Sequence, residues 1–139
     1  MVQLIVGEKG KGKTKHLLDK VNTEIKNISG NIVYLDKSSK HMYELNNKVR
    51  LIDVSEFFID SSEEFLGFIA GIISQDHDLQ QMYFDGFLAM SKTPAEKFED
   101  AVAKLEKYSA KFGVDFIVSV SLSEEEIPET LKNKIIVSL

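Results

Sequence analysis

Short runs of branched apolar residues alternate along the chain with longer stretches whose apolar positions recur every three or four residues. The short runs read as buried strands and the longer stretches as amphipathic helices. Val2 to Val6 is the first apolar run and stops at Gly7. From Thr14 to Ile28, the residues Leu17, Leu18, Val21, Ile25 and Ile28 fall on one helical face. Ser29-Gly30 interrupts that pattern, and Gly30 is the expected left-handed cap. Ile32 to Leu35 predicts a second strand, followed by Asp36. Lys40 to Lys48 is polar and carries no period, whereas Val49 to Val54 predicts a short strand suited to a sheet edge.

The second half repeats the alternation. Ser61 and Glu64 have the Ser-x-x-Glu spacing of a capping box, ahead of a helix bearing Phe65, Leu66, Phe68, Ile69, Ile72 and Ile73. Gln80 to Phe84 predicts a strand ending at Asp85-Gly86. Thr93-Pro94-Ala95-Glu96 predicts a helix start, with Thr93 as cap, Pro94 in the first position and Glu96 closing the box. Phe98, Ala101, Val102, Leu105 and Phe112 give that helix its buried face, and Gly113 ends it. Phe116 to Leu122 predicts a strand, Glu124 to Leu131 a turn or short helix, and Ile135 to Leu139 a last strand. Such alternation predicts an α/β protein with a mainly parallel sheet, as a single domain over residues 1–139.

Composition narrows the classes. The chain has no cysteine, which excludes disulfides and thiolate chemistry. A net charge of −5 argues against general nucleic-acid binding, which goes with a basic surplus. No apolar run approaches the roughly 18 residues of a membrane span, and the first residues lack the order of a signal peptide. The expectation is a cytoplasmic protein. Arg50 is the only arginine.

The most informative stretch is Gly7-Glu8-Lys9-Gly10-Lys11-Gly12-Lys13-Thr14, which fits G-x-x-x-x-G-K-[ST] between a predicted strand and a predicted helix. Glycines allow the backbone to curl with its N–H groups pointing inward, and the helix that follows adds the positive end of its dipole. Lys13 is placed to reach the β- and γ-phosphates, and the Thr14 hydroxyl to hold Mg²⁺. Lys9, Lys11 and Lys15 add a positive field that helps gather a polyanion.

On these residues the chain resembles the P-loop NTPases, with Gly7 to Thr14 as Walker A. Met82-Tyr83-Phe84-Asp85 is similar to the family's Walker B run, which makes Asp85 the second Mg²⁺ residue. The resemblance implies a three-layer fold with about five parallel strands in the order 5-1-4-3-2 and helices on both faces. It also implies ATP and Mg²⁺ as ligands. Within the small RecA-like branch, an extra strand separates the two motif strands and bears a polar γ-phosphate sensor. Ser119 and Ser121 share one face of the corresponding strand, and Ser121, near its end, is the expected sensor.

The chain departs from that branch at Gly86, where a catalytic glutamate often stands. Asp36 is one substitute for polarising water, and Glu124, Glu125 and Glu126 are others. Without a positioned base, the resemblance implies slow or partner-stimulated ATP hydrolysis, or a nucleotide switch working with a protein partner or as a homo-oligomer. The competing expectations are an ATP-binding module that does not hydrolyse, a small-molecule kinase, and a protein similar to corrinoid adenosyltransferases. The guanine-reading signature Asn-Lys-x-Asp is absent. Arg50 is expected in a surface ion pair. Gly67 and Gly71 are expected to let their helix approach the sheet. His16, His41 and His77 show no metal-ligand spacing.

Overall fold

Strand β1 (Val2–Val6) sends Val2, Leu4 and Val6 into one hydrophobic core and Ile5 into another, as the two-residue period of a strand requires. The same division runs across the sheet, so both faces are covered and the strands are apolar almost throughout. The computed structural model describes all 139 residues. The other strands are β2 (Asn31–Asp36), β3 (Arg50–Asp53), β4 (Leu79–Phe84), β5 (Asp115–Val120) and β6 (Ile135–Ser138). All pairings are parallel, and the six strands lie in the order β3-β2-β4-β5-β1-β6.

This order differs from the expected 5-1-4-3-2, because the sheet has six strands rather than five. The strand outside that order is β3, the short edge strand expected at Val49 to Val54, which is incompletely buried and paired only with β2. In the middle of the sheet, β5 separates β1 from β4. The carboxyl ends of β1, β2 and β4 therefore open on one side of the sheet, where the chain leaves for Gly7, Lys37 and Asp85.

Helix α1 (Lys13–Glu24) packs Leu17, Leu18 and Val21 on Ile5, Ile32, Tyr34, Tyr83 and Ile117. Helices α2 (Ser62–Gln75), α3 (Phe87–Ser91) and α4 (Phe98–Phe112) cover the opposite face. That face holds a run of rings, Phe65, Phe84, Phe87, Phe98 and Phe116, with centroids 5.5 to 5.9 Å apart. Tilted and offset pairs at this spacing add about 0.5–1.5 kcal/mol each to area burial. Phe87 anchors α3, a helix the periodicity does not predict because it is only five residues long. No helix is long and apolar enough to cross a membrane.

Several local expectations are corrected. Helix α1 ends at Glu24 and the chain continues in turns, so Gly30 is not its left-handed cap. Gly30 instead answers a close approach, since a Cβ there would come within 2.2 Å of the Asp78 carbonyl oxygen. Thr93 does not cap a helix. It is buried, and its hydroxyl accepts from Ser91 Oγ at 2.8 Å. The segment Ala95–Lys97 forms a 3₁₀ turn, and α4 begins at Phe98 without a side-chain cap. Ser61 does cap α2, accepting from Glu64 N at 3.1 Å, but Glu64 turns its carboxylate to the amide of Asp60. Gly67 and Gly71 are exposed with open space above them, so they do not bring α2 closer to the sheet. Arg50, by contrast, forms an ion pair as expected, with Asp76 at 3.1 Å, tying β3 to the end of α2.

Candidate functional site

Between β1 and α1 the chain makes a tight loop, and two glycines fix its shape. Gly7 has φ of +155°, and a Cβ there would meet Leu139 Cβ at 3.0 Å. Gly12 is left-handed at φ 90°, ψ 24°, where other residues are strained, and it opens α1. No side chain caps that helix, and its first turn has no acidic residue. The amides of Glu8, Lys9, Gly10 and Gly12 donate to no backbone carbonyl. The loop thus presents a group of free N–H donors at the positive end of a helix dipole. Glu8, Lys9, Lys11 and Lys15 are exposed around it.

Lys13 lies inside this loop and is only 8% exposed. Its Nζ donates to the carbonyls of Gly7 at 2.7 Å and Glu8 at 3.0 Å, which holds the ammonium across the loop. Burial lowers its pKa, the charge of Asp85 opposes that shift, and Lys37 adds to it.

The second half of the site comes from β4 and β2. Asp85 follows β4 and is nearly buried. Its Oδ1 accepts the Thr14 hydroxyl at 3.1 Å and its Oδ2 accepts the Tyr34 hydroxyl at 2.9 Å. Its own amide donates to Leu35 O at 3.0 Å, which fixes it beside the end of β2. Burial, then the charge and hydrogen bond of Asp85, push the Tyr34 hydroxyl far above the usual phenol range. Tyr34 therefore remains a donor at all ordinary pH.

Asp36 stands next to this pair. It is 3% exposed, its Oδ1 accepts from Lys37 N at 2.7 Å, and its Oδ2 is buried with no hydrogen-bond partner. Burial raises its pKa and Asp85 raises it further, against the Lys37 amide, His41 and the Lys37 charge. Asp36, His41 and Asp85 each bring a ligand atom within 4.8 Å of the others. His41 Nδ1 also lies 3.0 Å from Glu44 Oε1.

Of the residues singled out in the sequence, the fold brings together Gly7 to Thr14, Asp85 and Asp36. Ser121, the expected sensor, lies exposed in the bend just beyond β5, which ends at Val120. Ser119, buried on β5, is the serine bonded to the strand end of interest. It accepts from Gly86 N at 2.8 Å and donates to Phe84 O at 3.2 Å. Glu126 caps its own turn through Ser123, and Glu124 and Glu125 are exposed. Tyr34 and His41 were missed by sequence reasoning. For Tyr34 a signal exists, since it lies two residues before Asp36 on the same strand face. For His41 there is none, because its approach depends on an irregular connection.

Chemically, the loop amides and Lys13 form a donor set for a polyanion, and the Thr14 hydroxyl with the carboxylates of Asp85 and Asp36 forms a set of hard oxygen donors. No protein-family model matches the chain, and no curated protein matches it in sequence.

Proposed function

We propose that the chain binds ATP with Mg²⁺ at the loop Gly7–Thr14 and acts as a slow or partner-stimulated ATPase or nucleotide switch. One observation carries this reading: the Thr14 hydroxyl and Asp85 Oδ1 meet at 3.1 Å at the mouth of a loop that holds Lys13. Free loop amides, Lys13 and the start of α1 suit the phosphates. The orphaned Asp36 Oδ2 beside Asp85 suits a cation in the same place. In that arrangement Lys13 moves from its loop carbonyls to phosphate oxygens, and Thr14 and Asp85 hold Mg²⁺ directly or through water.

Slow turnover follows from what stands after Asp85. Gly86 has no side chain, and its amide is held by Ser119. The carboxylate nearest to acting on water is Asp36, whose raised pKa makes it a better proton acceptor than an ordinary surface aspartate. A protein partner or a second copy would then supply the missing rate. A second reading, favoured by Gly86, is a module that holds ATP without hydrolysing it. Phosphate release in the presence of Mg²⁺ separates the two. Release above background that disappears in Lys13→Ala supports the ATPase, and tight binding with no release supports the module.

A further inference from the structure

We infer that Asp36, His41 and Asp85 bind a divalent transition ion in the absence of nucleotide. This goes beyond the ATP-Mg²⁺ reading: it shares Asp36 and Asp85 with that site, adds His41, and needs neither the nucleotide nor Thr14. Three observations support the site independently of the phosphate loop. The three side chains converge from separate segments, the end of β2, the β2–β3 connection and the end of β4, with ligand atoms within 4.8 Å of one another. Asp36 Oδ2 is buried and makes no hydrogen bond, an unsatisfied acceptor that coordination would satisfy. His41 is already oriented: its Nδ1 lies 3.0 Å from Glu44 Oε1, leaving Nε2 as the nitrogen free to coordinate. A carboxylate behind a histidine is the usual support of a metal ligand, fixing its tautomer and ring angle.

Geometry and donor type together select the ion. Ligands sharing one ion at bonds of about 2.1 Å stand roughly 3–4 Å apart, so separations of up to 4.8 Å must close by at most about 1–2 Å. His41 precedes the short 3₁₀ turn Met42–Glu44, which has no buried residue to resist that movement. Two carboxylates with one imidazole favour Mn²⁺, Fe²⁺, Co²⁺ or Zn²⁺ over Mg²⁺, which prefers oxygen and water. The bound ion would pin the β2–β3 connection to the ends of β2 and β4.

The test is a Mn²⁺ titration of the full chain, stripped with chelator and free of nucleotide, with unbound Mn²⁺ read by electron paramagnetic resonance. The expected result is one ion per chain, displaced by Zn²⁺ and not by equimolar Mg²⁺. His41→Gln and Asp36→Asn should each weaken binding by about 10–100-fold, and Glu44→Gln by less. Because His41 lies on a partly exposed turn, its variant keeps the fold, which a thermal melt verifies, and it decides the matter if Asp36→Asn misfolds. No bound Mn²⁺, or His41→Gln binding as tightly as the parent, overturns the inference. Parallel titration with Mg²⁺-ATP separates the two readings. Mn²⁺ bound without ATP affinity supports this site while refuting the nucleotide proposal, and ATP bound without nucleotide-free Mn²⁺ does the reverse.

Discussion

The Thr14 hydroxyl donates to Asp85 Oδ1 at 3.1 Å, joining the first turn of α1 to the end of β4 across 71 positions of sequence. This contact exists because β5 alone separates β1 from β4, and because the Leu35 carbonyl and the Tyr34 hydroxyl both hold Asp85 in place. If the pair holds Mg²⁺, either partner is needed for the metal to help binding. Thr14→Ala and Asp85→Asn should each keep the fold and reduce the gain in ATP affinity on adding Mg²⁺ by about tenfold or more, as measured by calorimetry with and without the metal.

Tyr34 is fully buried, and its hydroxyl serves one of the two Asp85 oxygens. Tyr34→Phe leaves that oxygen without a donor inside the protein. A hydrogen bond to a charged group contributes about 1.5–3 kcal/mol. Chemical denaturation should show a loss of that size, with an unchanged dependence on denaturant concentration.

Asp36 has the opposite sign. It is a buried carboxylate with one unpartnered oxygen next to a second carboxylate. Asp36→Asn keeps an acceptor for the Lys37 amide and removes the charge. In chelator at neutral pH, the variant should be more stable by about 1 kcal/mol, which raises the melting temperature by a few degrees. The pH dependence follows from the raised pKa. The folded state holds the Asp36 proton more tightly than the unfolded state, so parental stability falls as pH rises through the window between the two pKa values. Below the ordinary carboxylate range Asp36 is neutral in both states. The advantage of Asp36→Asn should therefore be largest at neutral pH and vanish in acid.

Gly7 combines a positive φ with contact from Leu139. Gly7→Ala must strain the backbone or displace Leu139, at about 1–3 kcal/mol. A thermal melt should fall by several degrees, and Mg²⁺-ATP affinity should fall with it, because the same residue starts the loop.

Much of this arrangement was legible in the sequence. The Gly7–Thr14 spacing, a strand before it and a helix after it were all readable, because strand burial and helical periodicity are local properties. Asp85 was found for the same reason, at the end of an apolar run. The rest depended on contacts between distant segments. Ser119 rather than Ser121 holds Gly86, because β5 ends one residue before Ser121, and a strand's end is set by where its partners stop pairing. Thr93 looks like a cap but is buried against Ser91 when the chain bends into a 3₁₀ turn. His41 joins two aspartates through a connection with no period, so no spacing rule reaches it.

The most direct test of the central claim is equilibrium binding of Mg²⁺-ATP to the purified chain and to Lys13→Ala. Lys13 is the one buried ammonium of the loop and makes its hydrogen bonds to the loop itself, so its removal subtracts the phosphate contact proposed for it and leaves the hydrophobic core untouched. The account predicts saturable binding at one site, weakened by about 10–100-fold in the variant, with both proteins melting as folded domains. No saturable binding to the parent, or equal affinity in Lys13→Ala, would contradict it.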